Sequence, residues 1–257
     1  MNIIVLLKRT FDTEERITIS TGKIDKDGAE FIINPYDEYA VEEAIQVRDK
    51  HGGEVTIVTV GTDESEKELR TALAMGADKA VLINIEDDVE DADQYTTAKV
   101  ISEYLRELEV DLILSGNVAI DGGSGQVGPR VAESLGIPYV TTITNLEIEG
   151  EKVTVVRDVE GDSETIETSL PLLVTCQQGL NEPRYTSLPG IMKAKKKPLD
   201  EIELDDLDLE EEDVAAKTKT IEVYLPPKKE AGKVLTGDIS DQVVELVSLL
   251  HQEAKVV

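Results

Sequence analysis

Three glycines near the middle of the chain have the spacing of a phosphate-binding loop. Gly123, Gly125 and Gly128 match the pattern G-x-G-x-x-G within the stretch "AIDGGSGQVGPRVAESLG", residues 119–136. Glycines let backbone N–H groups approach an anion, and the stretch runs into a helix whose N-terminus carries partial positive charge. The stretch therefore predicts a site for a phosphorylated nucleotide, and a flexible loop without a ligand is the alternative.

The place of these glycines in the chain argues against NAD. In a dinucleotide-binding fold they follow the first strand at once, whereas here they follow the fourth predicted strand. We therefore predict phosphate binding at the C-terminal edge of a doubly wound sheet. A second turn, "NPYDEYAVEEA" at residues 34–44, could bring Asn34 and the main chain of Asp37 to a base or ribose. Plain helix capping accounts for the same residues.

Residue types that would suggest catalysis or metal binding are scarce. The histidines are His51, beside a Gly-Gly helix stop, and His251, in the last predicted helix, and Cys176 is the one cysteine. Neither histidine has metal-ligand spacing, and there is no Walker-type loop or nucleophile elbow. We expect Cys176 to be a small buried hydrophobe. The sequence thus predicts a protein without catalytic residues of its own and without a metal site.

A short basic segment contrasts with the rest of the chain. "NEPRYTSLPGIMKAKKKP", residues 181–198, carries Arg184 and four lysines in a chain of net charge −28. Leu188 lies in its middle, between Ser187 and Pro189. A proline-stiffened apolar side chain ringed by positive charge has the anatomy of an interaction anchor with steering charges. The alternative is a solubilising turn.

The elements that must position these segments alternate between strand and helix. Apolar strands are predicted at residues 3–7, 55–60, 79–84 and 111–116, with helical periodicity between and after them. Continuous apolar strands of this kind form a parallel sheet covered on both faces. The sequence therefore predicts an α/β fold with a doubly wound, mainly parallel sheet.

The pattern changes after residue 139. Residues 144–158 alternate with period two around a Glu-Gly turn and predict an antiparallel hairpin, and residues 170–176 predict a further strand. Beyond residue 198 the chain is acidic, with a short strand predicted at residues 220–227 and a helix in which Val243, Val247 and Leu250 share a face. We predict a nucleotide-binding domain, residues 1–197, that includes a recognition loop at 177–197. Residues 198–257 form a C-terminal arm.

Charge and hydropathy exclude some partners. A net charge of −28 and a pI near 4.3 argue against nucleic acid, whose phosphates would be repelled. No stretch approaches the roughly 20 apolar residues of a membrane span. The strand-like start lacks the features of a signal peptide, and a single cysteine fits a reducing compartment. We therefore expect a cytoplasmic location and no membrane insertion.

Several segments together resemble the beta subunit of electron transfer flavoprotein. They are "VLLKRTFD" (5–12), "NPYDEYAVEEA" (34–44), "TALAMGADKA" (71–80), "AIDGGSGQVG" (119–128), "VVRDVEGDSETIETSLPLLVTC" (155–176) and the basic segment at 181–198. The resemblance runs the whole chain, with the motifs in the family's order. It implies an adenine-nucleotide-hydrolase-like fold, with the hairpin as an addition and the arm contacting an alpha subunit.

The resemblance also implies which residues meet a nucleotide and a partner. The nucleotide contacts would be Leu6, Asn34, Pro35, Tyr36, Asp37, Val60, Asp121, Gly122, Gly123, Ser124, Gly125, Gln126, Val127, Gly128, Pro129, Arg130, Val131 and Ala132. The dehydrogenase-docking residues would be Arg184, Leu188, Pro189, Ile191, Met192 and Lys193, with Leu188 as the anchor.

By the same resemblance, the chain would pair with an alpha subunit that holds most of the FAD and would itself bind AMP structurally. It would accept electrons from acyl-CoA dehydrogenases and related enzymes of fatty-acid or amino-acid oxidation and pass them to a quinone oxidoreductase. The glycine-rich "DGGSG" leaves an alternative, a bifurcating relative with a second FAD in the nucleotide site. A stand-alone nucleotide-binding stress protein would account for residues 1–140 but not for the basic segment or the arm.

Overall fold

The computed structural model describes residues 1–85, 92–229 and 231–256. By their internal contacts these residues divide into two units. Residues 1–17 and 25–221 form the larger unit, called here the sheet domain, and residues 18–24 and 222–257 belong to the smaller one.

Strands and helices alternate along most of the chain. The strands are β1 (Asn2–Leu6), β2 (Arg9–Phe11), β3 (Ile19–Ser20), β4 (Lys23–Ile24), β5 (Phe31–Ile33), β6 (Glu54–Gly61), β7 (Lys79–Asn84), β8 (Leu112–Gly116), β9 (Tyr139–Glu149), β10 (Lys152–Val159), β11 (Asp162–Ser169), β12 (Leu172–Cys176) and β13 (Leu199–Ile202). The helices are α1 (Pro35–His51), α2 (Glu66–Met75), α3 (Gln94–Arg106), α4 (Val127–Leu135), α5 (Leu188–Ala194), α6 (Glu211–Val214) and α7 (Ile239–Leu249).

The main sheet of the described residues has nine strands in the order β11-β10-β9-β12-β8-β1-β6-β7-β13. From β9 to β13 all neighbours are parallel, and β10 and β11 add to one side as antiparallel strands. The predicted doubly wound, mainly parallel sheet with an antiparallel hairpin is confirmed. Chain order reverses between β1 and β8, so the crevice at the C-terminal ends of these strands is where such folds bind ligands.

The core lies in two layers, one on each face of the sheet. Because side chains alternate along a strand, Ile3 and Val5 of β1 pack under α1 and α2, while Ile4 and Leu6 pack under α3 and α4. The strands beside β1 are buried on both faces, which explains why the sequence shows them as continuous apolar runs.

The sheet domain extends beyond residue 198, where the sequence placed the start of the arm. Strand β13 pairs with β7 and extends the main sheet, so the start of the predicted arm is part of this domain. Further on, the carboxylate of Asp93 accepts the N–H groups of Lys217 and Thr218 at 2.9 and 2.8 Å. The acidic composition concealed β13, because charged residues on an edge strand serve to prevent further pairing rather than to fill a core.

The prediction of a strand at residues 220–227 is wrong, because these residues form no helix or strand. Pro226 and Pro227 have no N–H to donate to a ladder. In the smaller unit, β3 and β4 pair as a hairpin, and α7 carries exposed apolar side chains that include Val243 and Val247. No helix among the described residues is both long and apolar enough to cross a membrane.

Candidate functional site

One buried carboxylate joins the two strands that border the crevice. Asp37, in the first turn of α1, accepts the N–H of Lys8 on Oδ2 at 2.7 Å and the N–H of Gly116 on Oδ1 at 2.9 Å. Lys8 follows β1 and Gly116 ends β8, so this side chain fixes the spacing between the strand ends. Burial raises the pKa of Asp37 to about 7, although the hydrogen bonds from Lys8, Asn34 and Gly116 act to lower it.

Asn34 shapes the loop after β8 from inside. Its Nδ2 donates to Asp37 Oδ1 and to the carbonyl of Val118, both at 3.0 Å, and its Oδ1 accepts the N–H of Ile120 at 3.2 Å. The residue is buried. These contacts give the side chain of Asn34 a role within the protein, and the direct nucleotide contact expected for Asn34 stays a prediction.

The glycine-rich loop lies beside this pair. Gly123 and Gly125 have φ angles of +65° and +59°, which favour glycine, and residues 121–126 are exposed. At the start of the loop, Asp121 forms a 2.7 Å ion pair with Lys8. The loop therefore bridges the crevice from β8 towards β1, with its main chain accessible.

Helix α4 begins directly after this loop. Its N-cap, Gln126, makes no side-chain capping hydrogen bond, so N–H groups of the first turn are available to a ligand. Gly128 brings the helix close to the sheet, because a Cβ there would lie 3.0 Å from Ser115 Oγ and 3.1 Å from Thr175 Cγ2. The loop and this N-terminus together can hold an anion through main-chain N–H groups.

The other predicted nucleotide residues take different positions. Pro35 and Tyr36 open α1, Val60 lies near the end of β6, and Pro129 and Arg130 are in α4. The side chains of Leu6, Val131 and Ala132 are buried in the core, and the nucleotide contacts expected for these three residues stay a prediction. Sequence reasoning missed Lys8 and Gly116. Their positions immediately after the first strand and at the end of the fourth predicted strand were the signals for them.

The basic segment contains a helix where a loop was expected. Ser187 Oγ accepts the N–H of Gly190 at 3.1 Å and so starts α5. Leu188 is 80% exposed and Met192 64%, and Ile191, in the same helix, is 41% exposed. Lys193, Lys195 and Lys196 are exposed around them.

Two of the basic side chains in this segment are engaged within the protein. Arg184 forms a bidentate pair with Glu42 of α1, at 2.7 and 3.0 Å. Lys197 donates to the carbonyls of Leu73 and Ala77 at the end of α2. Arg184 and Lys197 are therefore engaged within the protein. The steering role expected for Lys193, Lys195 and Lys196 stays a prediction.

The remaining reactive residue types lie apart from these surfaces. Cys176 is fully buried, as expected, and burial raises the pKa of its thiol well above the ordinary value. Across the described ranges, no three or more acidic, histidine or cysteine side chains are grouped so that they could hold a metal ion.

Comparisons with known proteins identify the family of the chain. The family model of the electron transfer flavoprotein domain matches residues 21–207. The chain is 70% identical to electron transfer flavoprotein subunit beta of Bacillus subtilis, over 100% of both chains. It is 42% identical to the subunit of the same name from Thermoanaerobacterium thermosaccharolyticum, over 98% of each chain. It is also 36% identical to the caffeyl-CoA reductase-Etf complex subunit CarD of Acetobacterium woodii, over 98% of this chain and 99% of that one. The chain therefore belongs to the electron transfer flavoprotein family, among its beta subunits.

Proposed function

We propose that the chain is the beta subunit of a heterodimeric electron carrier of the cytoplasm. Its alpha partner holds most of the FAD, and the chain itself supplies a nucleotide site and a docking surface. Electrons enter from acyl-CoA dehydrogenases and related enzymes and leave to a quinone oxidoreductase.

The exposed apolar end of α5 is the observation that carries this proposal. Leu188 and Met192 stand out from a helix surrounded by Lys193, Lys195 and Lys196, in a chain that is otherwise strongly acidic. An apolar anchor within a positive rim suits a partner with an apolar pocket in an acidic surface. The lysines would speed the encounter at low salt, and Leu188 would slow dissociation.

Replacement of Leu188 by Ala tests the docking role. Removing a buried Leu side chain costs about 1.5–3 kcal/mol, on the order of ten- to a hundredfold in affinity. We expect slower reduction of the heterodimer by an acyl-CoA dehydrogenase at subsaturating carrier, with unchanged flavin and nucleotide content. Leu108→Ala removes a similarly sized exposed side chain elsewhere on the sheet domain and serves as the control. Equal rates for Leu188→Ala and wild type would overturn the proposal.

For the crevice, we propose AMP as the ligand. The Gly123 N–H donates to the Ala119 carbonyl at 2.8 Å, and the other main-chain N–H groups of the loop at 121–126, with those of the first turn of α4, can bind a phosphate without a dedicated cationic side chain. The alternative ligand is a second FAD, as in a bifurcating carrier. The observation that favours it is the open space beside the glycine-rich loop, where a Cβ at Gly122 or Gly123 would meet nothing within 4 Å. Denaturation of the purified chain and mass analysis of what it releases decide between them. Released AMP from a colourless chain supports the proposal, and released FAD from a yellow chain supports the alternative.

A further inference from the structure

The docking segment, residues 181–197, is fixed at both ends by side chains of the helices beneath it. We propose that Glu42 of α1 and Arg70 of α2 are positioning residues that hold this segment in its docking conformation before a partner arrives. The inference rests on the proposed docking function of Leu188. It adds a positioning role for two residues that lie outside the segment.

Glu42 provides the N-terminal anchor. Its buried carboxylate accepts Nε and Nη2 of Arg184 at 2.7 and 3.0 Å, and the Arg184 N–H at 3.2 Å. Gln46 donates to it at 2.8 Å. Burial raises the pKa of Glu42, but the hydrogen bonds from Arg184 and Gln46 outweigh it and hold the pKa below its ordinary value. A bidentate Arg–carboxylate pair is among the strongest directional contacts in proteins, and its loss here leaves a buried charge unpaired.

Asn181 reinforces this anchor through residues of α1 on either side of Glu42. Its Nδ2 donates to the carbonyl of Tyr39 at 3.0 Å and to the carboxylate of Glu43 at 2.9 Å. Asn181 and Arg184 thus attach this part of the chain to α1 through two consecutive glutamates, Glu43 and Glu42. The two glutamates of "AVEEA" are buried although they are charged, and the docking segment supplies partners to both.

Arg70 provides the C-terminal anchor. Its Nη1 donates to the carbonyls of Ala194 and Lys197 at 3.1 and 2.9 Å, at the point where α5 ends. Carbonyls at a helix end have no intrahelical donors, so a cation placed there satisfies them. The Lys197 ammonium group, which donates to the Leu73 carbonyl at 3.0 Å, strengthens the attachment from the other side.

The centre of the segment is also close to α2. A Cβ at Gly190 would lie 2.6 Å from the carbonyl oxygen of Ala74, so the backbones of α5 and α2 are in contact. With its ends and centre held, the segment presents Leu188 and Met192 without having to order itself during binding. Ordering a mobile segment on binding costs conformational entropy and weakens the affinity, and a segment that is already fixed does not incur this loss. The anchors should therefore act on affinity for the partner and not on the electron-transfer step.

The inference is tested with Glu42→Gln and Arg70→Met in the intact heterodimer. For each variant we expect the KM for the carrier, measured with an acyl-CoA dehydrogenase, to rise about tenfold with kcat unchanged. Amide hydrogen exchange in residues 184–194 should accelerate, while flavin and nucleotide content stay at wild-type levels. Arg70→Lys, which keeps one donor in place, should give an intermediate KM.

Matched controls separate positioning from charge and from folding. Asp49→Asn removes a carboxylate from the same helix as Glu42, where it pairs with Arg48, and Glu66→Gln removes the carboxylate partner of Arg70 at 3.1 Å but leaves its carbonyl contacts. Both controls should keep the wild-type KM. If Leu188→Ala raises KM while Glu42→Gln and Arg70→Met do not, the positioning role is refuted and the docking role stands. If none of these variants raises KM, the docking role itself fails. A fall in kcat together with lost flavin would show general damage and would also refute positioning.

Discussion

The Asp37 carboxylate lies so close to Gly116 that position 116 has no room for a side chain. A Cβ at Gly116 would collide with Asp37 Oδ1 and would lie 2.7 Å from the Cβ of Tyr36 and 2.9 Å from the Asp37 nitrogen. The same proximity permits the 2.9 Å hydrogen bond from the Gly116 N–H to Asp37. The first turn of α1 therefore closes over the end of β8 only because residue 116 is glycine.

Replacement of Gly116 by Ala should destabilise the sheet domain. The added methyl group forces α1 away from β8 and breaks the hydrogen bond to Asp37, and overpacking of this kind costs about 1–3 kcal/mol. Urea unfolding gives the free energy directly. Gly122→Ala is the control, because a Cβ there meets nothing within 4 Å, and we expect it to change stability little. Equal stabilities of the two variants would show that the contact at Gly116 relaxes without cost.

Asp37 should make the stability of the protein depend on pH. Its pKa is about 7 in the folded protein against 3.8 as the ordinary value, so the folded state binds the extra proton between these values. Proton binding at Asp37 stabilises the folded state. Its contribution to the free energy of unfolding is fully present below about pH 4 and is lost as the pH rises towards 7, on the order of 4 kcal/mol in total. The sign follows because the unfolded state binds fewer protons over this range.

The measurement compares wild type with Asp37→Asn in urea titrations at several pH values from 4 to 8. The variant has no proton to release at position 37, so its unfolding free energy should fall less steeply with pH. The difference between the two curves isolates Asp37 from the many other carboxylates of the chain. Parallel curves would mean that Asp37 titrates near its ordinary value.

Replacement of Gly125 by Val should weaken nucleotide binding. Gly125 has φ +59°, where a β-branched residue is strained, and its Cβ would lie 3.2 Å from the carbonyl oxygen of Asn117. The loop must then move, and its N–H groups lose their alignment. Strain of about 1–3 kcal/mol corresponds to roughly a ten- to hundredfold loss of AMP affinity, measured by calorimetry on nucleotide-free protein. Ser124→Ala, at the neighbouring exposed position, is the control. Wild-type affinity in Gly125→Val would place the nucleotide elsewhere.

The layered sheet could be predicted from the sequence because its strands are apolar on both faces. β1, β6, β7 and β8 all lie where continuous apolar runs placed them. β11 and β13 were missed for the opposite reason, since edge strands in polar surroundings lack the alternation that marks burial. The pair β2 and β5 was missed because each strand is only three residues long.

The candidate site shows the same division between local and long-range information. The glycines at 123 and 125 are a local signal, because the positive φ angles that both adopt favour glycine. The bonds from Asp37 to Lys8 and Gly116 join residues 29 and 79 positions apart, and no local pattern encodes them. Arg184 was interpreted from its neighbours in sequence as a free charge, yet its partner Glu42 lies 142 positions away.

The last helix should be a contact with the alpha subunit. In α7, Val243 and Val247 are 54% and 55% exposed one turn apart, and Ile239 continues the same stripe. An exposed apolar stripe on a helix of a beta-type subunit suits a partner chain that covers it. We expect Val247→Asp to lower the affinity of the heterodimer about ten- to a hundredfold, because burial worth about 1.5–3 kcal/mol is lost and a charge must be desolvated. Ser248→Asp adds the same charge one position along, on the side of Asp241 and Glu245, and should leave assembly intact. The affinity of the two subunits is measured by co-purifying tagged variants with the flavin-bearing subunit and then diluting the complex. If Val247→Asp and Ser248→Asp retain the partner equally well, the stripe does not face the alpha subunit.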